Sequence, residues 1–172
     1  TVNCGSDSGV STPVLVTVNP QNQCYCAAGA TSASFEKISN ITFGTINNAS
    51  TSTAGYEDFT SLSTEVIQGN SYPFSASISG GFASDQIVVF IDFNQDGDFT
   101  DADEIVYTSL EGVGPFAGTI VIPSNALAGN TRMRVRLTDN GTFDSCGNTS
   151  FGQVEDYTVT IVQGVPCSGA PT

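Results

Sequence analysis

Between Asp92 and Glu104 the chain reads DFNQDGDFTDADE, thirteen residues that hold six of its seventeen acids and follow the apolar run QIVVFI without a spacer. Like charges packed that closely repel one another unless a cation sits among them. The chain has only four bases, Lys37, Arg132, Arg134 and Arg136, so the compensating charge is expected from outside. From Asp92 onward, oxygen-bearing side chains recur at loop positions 1, 3, 5 and 7 (Asp92, Asn94, Asp96, Asp98), with Gly97 at position 6 and Asp103 at position 12. This approaches the spacing by which a tight loop wraps calcium: a hard cation takes six to eight oxygens, alternate residues of a curling loop turn inward, and a glycine permits the sharp bend. Asp98 is expected to offer its backbone carbonyl and Thr100 a bridging water. Two features depart from the helical version of this loop: Glu104 comes one place after position 12, and the flanks read as strands. The expected ligands are therefore Asp92, Asn94, Asp96, Asp98, Asp103 and Glu104, holding Ca2+ in a β setting; the alternative is a solvated acidic hairpin.

A second constellation is TRMRVRL. On a strand, side chains alternate. Arg132, Arg134 and Arg136 then share one face, while Met133, Val135 and Leu137 share the other. Guanidinium forks grip carboxylate or sulfate groups through paired hydrogen bonds, which makes the row a candidate anion site. Its alternative use is internal pairing with Glu155 and Asp156 on a neighbouring strand.

The elements that must position these groups are strands. Gly, Ser, Thr, Asn and Ala dominate, and ASFEKISNITFGTI, TEVIQ, YPFSASIS, QIVVFIDF, EIVYTSL, PFAGTIVIP, TRMRVRL and QVEDYTVTIV are separated by turn signals such as Gly69-Asn70, Gly80-Gly81 and Gly129-Asn130. About eight strands at this spacing predict an all-β fold, a two-sheet antiparallel β-sandwich for which a jelly roll is one topology. Residues 1–22 and 164–172 are rich in Gly, Ser, Thr or Pro and read as linkers flanking one domain over 23–163, the first with a strand-like PVLVTV run. The chain is thus expected to be a piece of a larger protein. With a net charge of −13 and no basic patch, nucleic acid and anionic membrane surfaces are excluded as expected partners. No apolar run reaches the length of a membrane helix.

Five cysteines (Cys4, Cys24, Cys26, Cys146, Cys167) accompany no histidine. One lone Cys-x-Cys does not match the paired units of a structural zinc site, so disulfides in an oxidising compartment are expected. An odd count leaves at least one cysteine outside such pairs, and spacing alone does not choose the connectivity.

The final strand, GQVEDYTVTI, together with CYCAAGA, SFEKISNITFGTINNASTSTAGYEDFT, the DFNQDGDF loop, TRMRVRL and the cysteine of DSCGN, resembles the GEVED domain of large secreted bacterial proteins. The order of motifs matches from near Cys24 to Val162. Gln153 stands where the family's name-giving motif has its first glutamate, while Glu155 and Asp156 are retained. The resemblance implies an extracellular β-sandwich accessory module attached to proteases, polysaccharide-degrading enzymes or adhesins. It also implies that Cys26 pairs with Cys146, leaving Cys4 and Cys24 as a second pair and Cys167 for the neighbouring segment.

Catalysis is not expected. Histidine is absent, no nucleophile motif or phosphate-binding loop is present, and the acids cluster as a metal loop and as Glu57-Asp58 and Glu155-Asp156. The expected function is a module that holds a larger extracellular protein on a polysaccharide or cell-surface glycan, acidic or sulfated if the arginine row mediates contact. Tyr56, Tyr72, Phe82, Phe116 and Phe143 are the rings placed near turns where a sugar could stack. The competing expectation is a spacer or adhesion module that calcium stiffens and that meets a protein partner. A second metal site near Asp139, Asp144 and Glu155 stays open at this level.

Overall fold

A computed structural model describes residues 24–139, 141 and 144–164. In chain order its strands are β1 (Ala28–Ser32), β2 (Lys37–Phe43), β3 (Ile46–Ala49), β4 (Tyr56–Ile67), β5 (Ser71–Ser79) and β6 (Gln86–Ile91). They continue as β7 (Ile105–Thr108), β8 (Phe116–Val121), β9 (Gly129–Thr138), β10 (Gly147–Phe151) and β11 (Gln153–Val162). No helix among the described residues is long and apolar enough to cross a membrane.

The protein is all-β. A five-stranded sheet in the order β4-β11-β9-β6-β7 lies against a four-stranded sheet in the order β3-β2-β5-β8, and a two-stranded sheet pairs β1 with β10. The main core fills the space between the large sheets: Ile87, Val89, Ile91, Met133, Val135 and Leu137 from one meet Ile38, Ile41, Phe43, Phe74 and Ile120 from the other. Each such side chain, taken fully out of water, contributes roughly 1.5–3 kcal/mol.

The two large sheets form the sandwich that the sequence predicts; most neighbouring strands are antiparallel, and two pairs are parallel. β11 runs antiparallel to β9 but parallel to β4, and β1 runs parallel to β10. Parallel neighbours need a long connection, and both pairs join segments far apart in the chain. The run ASFEKISNITFGTI is also not one strand: it folds back at Gly44-Thr45, so that Phe43 pairs with Ile46 across a two-residue turn.

The unbroken apolar run QIVVFI has a direct cause. β6 is covered on both faces: Ile87, Val89 and Ile91 enter the main core, while Val88 and Phe90 pack outward on Phe99 of the acidic loop, with Tyr25 against them. A strand buried on both sides does not alternate. Residues 1–22, and 165–172 of the C-terminal linker, lie outside the described residues.

Candidate functional site

The acidic segment forms the connection from β6 to β7, and its mouth is closed where Ile91 N donates to the Glu104 carbonyl at 2.9 Å. Inside it, short polar side chains take backbone amides two residues on. Asn94 Oδ1 accepts from Asp96 N (3.1 Å), Asp96 Oδ1 from Asp98 N (3.2 Å) and Asp98 Oδ1 from Thr100 N (2.8 Å). Such local turns curl the chain. Gly97 adopts φ 92, in the region that favours glycine. The curl brings carboxylate oxygens of Asp96, Asp98 and Asp101 within 4.8 Å of one another, the one such group among the described residues. The Asn94 amide donates to Asp101 Oδ2 at 2.7 Å and to Asp96 Oδ2 at 3.2 Å.

The two ends of the loop are used differently. Asp92 is fully buried; its Oδ1 accepts from Gln95 N (2.6 Å) and its Oδ2 from Gly97 N (3.1 Å) and Tyr25 Oη (2.7 Å). Glu104 is 1% exposed; Oε1 accepts from Phe93 N at 3.0 Å, and Oε2 is buried with no partner. Burial, with the Asp92 charge adding to it, pushes Glu104 up to about 7. Asp103 is exposed with φ 75. Of the six expected ligands, Asp96 and Asp98 therefore converge with Asn94 beside them, Asp92 and Glu104 brace the loop from within, and Asp101 joins the cluster. Asp101 was passed over because the helical template places no ligand at its tenth position. An all-oxygen donor set with an orphaned buried carboxylate oxygen nearby suits a hard cation. Asp96, Asp98 and Asp101 are the groups that would hold it, with the Asn94 amide nitrogen tying Asp96 to Asp101.

On β9, alternation holds as expected, and its outer face is covered too. Arg134 and Arg136 are each 1% exposed. Arg134 meets Asp156 through Nε to Oδ1 (2.7 Å) and Nη2 to Oδ2 (2.8 Å), and its Nη1 donates to the carbonyls of Cys26 (3.0 Å) and Ser145 (2.8 Å). Arg136 donates to the carbonyls of Asp144, Cys146 (3.1 Å), Gly29 (3.2 Å) and Gly147 (2.5 Å). The segments so gripped are the two joined by the Cys26–Cys146 disulfide, with Cα atoms 5.6 Å apart. This is the pairing the family resemblance implies. Cys24 is exposed, while Cys4 and Cys167 lie outside the described residues.

Only one of the two acids expected to face the arginines does so. Asp156 stands opposite Arg134, whereas Glu155 stands opposite Val135 and therefore faces the core. There Tyr157 Oη donates to Glu155 Oε2 at 2.6 Å, Oε1 has no partner, and burial pushes the carboxyl up to about 7. Gln153, also on the core side, accepts from Ile38 N at 2.9 Å and donates to the Ala54 carbonyl at 2.8 Å, tying the two sheets together. Asp139, Asp144 and Glu155 do not converge as a metal site.

Arg132 keeps 22% of its side chain exposed, pairs with Asp156 Oδ2 at 3.2 Å and lies over the Tyr25 ring at 4.5 Å. It lines a cleft of about 440 Å³ with Tyr25, Tyr56, Arg134 and Asn148. Tyr56 Oη donates to Asp156 Oδ2 at 3.1 Å; burial, with the Asp156 charge, pushes the phenol up to about 12. Tyr72 lies apart, on the four-stranded sheet, where its Oη accepts from Ile67 N at 2.7 Å. Phe116 is buried in the core and Phe143 lies outside the described residues. Tyr25, which lies in the CYCAAGA motif but to which the sequence assigns no role, links the two sites: it hydrogen-bonds Asp92, stacks on Phe99 of the acidic loop with centroids 5.0 Å apart, and carries Arg132 on its ring.

A disulfide-braced β-sandwich with an acidic loop on one sheet and a polar cleft over its arginines defines a small all-β domain whose acidic loop is flanked by strands rather than helices. Residues 86–160, which span β6 through nearly all of β11, match the GEVED domain family. No curated protein matches it.

Proposed function

We propose that this is a secreted, non-catalytic accessory module that binds calcium in the Asp92–Glu104 loop and a polysaccharide in the cleft beside Arg132, and so directs a larger extracellular protein to that glycan. The observation that carries the reading is the position of Tyr25. Its ring forms a wall of the cleft under Arg132, and its hydroxyl and stacking partner belong to the acidic loop. An ion that orders the loop would thereby order the cleft. Rings and a partly free guanidinium in a polar cleft suit a sugar carrying an acidic substituent. The disulfide fits an oxidising compartment. A non-catalytic role fits a chain without histidine whose clustered acids sit in the loop and whose Asp156 is held in ion pairs.

The test is electrophoresis of the protein through gels containing neutral, uronic or sulfated polysaccharides, each with calcium and with EDTA. Retardation by a uronic or sulfated glycan that weakens in EDTA and in an Arg132→Ala variant is the expected result; no retardation by any of them removes the reading. The second reading, a calcium-stiffened spacer or adhesion module with a protein partner, draws on Arg134 and Arg136, whose guanidinium groups are spent on the chain's own carbonyls.

A further inference from the structure

A second cleft, of about 330 Å³, shares no lining residue with the one beside Arg132. It lies where the β1–β2 turn meets the β5–β6 loop and is lined by Phe35, Glu36, Phe82, Ser84, Asp139 and Phe151. The two segments touch through backbone: Gly80 has φ +79, and a Cβ there would come within 1.9 Å of the Phe35 carbonyl oxygen. The rings are unusually open to solvent, with Phe35 61% and Phe82 51% exposed. Phe35 and Phe151 meet edge to face with centroids 5.6 Å apart.

In and beneath this cleft lie acids with no basic partner among the described residues. Glu36 is 2% exposed, lines the cleft, and has its Oε1 buried without a hydrogen-bond partner. Asp85, fully buried, closes its own loop by accepting from Phe82 N at 2.7 Å and leaves Oδ1 without a partner. Burial and the charges of Asp85 and Asp139 all push Glu36 up, to about 7. The adjacent base does not help, because Lys37 Nζ donates to the Thr51 carbonyl at 2.9 Å. Both ion pairs among the described residues involve Asp156 instead.

A buried carboxylate oxygen left without a partner is costly, so the cleft is built for a donor that arrives with a ligand. A bare metal ion does not suit it: these acids do not bring their oxygens within 4.8 Å of one another as Asp96, Asp98 and Asp101 do. A planar cation does, since a guanidinium donates paired hydrogen bonds to a carboxylate while its faces rest on aromatic rings. We propose that the Phe35–Phe82 cleft is a docking site for an arginine side chain of a protein partner, the guanidinium meeting Glu36 between the rings. A second copy of this chain is a poor partner, because its net charge is −13 and two of its four bases are the buried Arg134 and Arg136. Enrichment of arginine and aromatic residues in interface hot spots accords with this pairing.

The experiment is a backbone NMR titration of the protein with a capped Gly-Arg-Gly peptide and with the same peptide carrying citrulline, which keeps the shape and removes the charge. Saturable shifts at residues 34–36, 82–84 and 151 with the arginine peptide alone are expected. Glu36→Gln should weaken binding about tenfold, as befits loss of a charge-assisted pair. Phe82→Ala, at an exposed ring, should weaken it without disturbing the rest of the spectrum. Equal shifts with citrulline, shifts confined to residues 92–104, or no saturable shift at millimolar peptide would overturn the proposal. So would a cleft that answers to calcium or to glucosamine and ignores the arginine peptide, the first result assigning a metal site and the second an amino-sugar site.

Discussion

Arg134 and Asp156 face each other across β9 and β11 and meet in a two-pronged ion pair, Nε to Oδ1 at 2.7 Å and Nη2 to Oδ2 at 2.8 Å, with both residues buried. The pair closes a network in which Arg134 also holds the carbonyls of Cys26 and Ser145, on either side of the disulfide. Removing one partner of a buried pair strands the other, at a cost of about 3–5 kcal/mol. Arg134→Ala should therefore lose about that much in urea unfolding. Arg132→Ala, at a partly exposed pair, should lose less than about 1 kcal/mol yet weaken glycan retardation. The reverse order of the two stability losses would mean that the outer face of β9 is not held by Arg134.

Gln153 makes a position-specific argument about the altered first residue of the family motif. Its Oε1 accepts from Ile38 N and its Nε2 donates to the Ala54 carbonyl, in a place with no exposure. An ionised glutamate could keep the first bond but would set a second oxygen against the Ala54 carbonyl. Gln153→Glu should destabilise the protein by about 1–3 kcal/mol at pH 7, and by less at pH 5, where the buried carboxyl retains its proton and can donate. Equal losses at the two pH values in urea melts would show that the amide donor is dispensable.

Much of this architecture was legible in the residues, and the failures have physical causes. Alternation in TRMRVRL placed Met133, Val135 and Leu137 in the core and the arginines on the other face. What covers that face was not legible, because Tyr25, Cys26 and Gly29 come from more than a hundred residues away. β1 and β10, AGATS and GNTSF, carry no apolar alternation and exist as strands by pairing with each other. In the acidic loop, the i to i+2 spacing found Asn94, Asp96 and Asp98, whereas a template drawn from helical loops pointed to Asp103 and passed over Asp101. The cleft at Phe35 left no periodic trace at all: Glu36 is one acid in a polar turn until Gly80 brings the next loop against it.

Calcium should act on folding as well as on binding. A ligand held only by the native state stabilises it by about 2.7 kcal/mol at a hundredfold excess over its Kd, and for a domain of this size each kcal/mol moves Tm by about 2–4 °C. Adding calcium to EDTA-treated protein should raise Tm by roughly 5–10 °C. Asp101→Asn, at an exposed position, should shrink that gain while leaving the melt in EDTA nearly unchanged. Identical melting in calcium and in EDTA, for wild type, would remove calcium from the loop.

Glu155 sets the sign of the pH dependence without calcium. Its carboxyl lies on the core side of β11, accepts one hydrogen bond from Tyr157, and is pushed by burial from an ordinary value near 4.5 to about 7. Between those two values the native state holds a proton that the unfolded chain has released. Stability must then fall as pH rises through that window and level off above it. Glu36 and Glu104 are raised to about the same value and act in the same direction. Asp58 and Asp98, both lowered from 3.8, act oppositely but only in more acidic solution. Urea melts in EDTA should show the protein more stable at pH 5 than at pH 8. Glu155→Gln, which keeps an oxygen for Tyr157 and carries no charge to bury, should flatten part of that slope by raising stability at pH 8. A wild-type stability that climbs from pH 5 to pH 8, or a variant with an unchanged slope, would mean that Glu155 is not the group that sets the pH dependence.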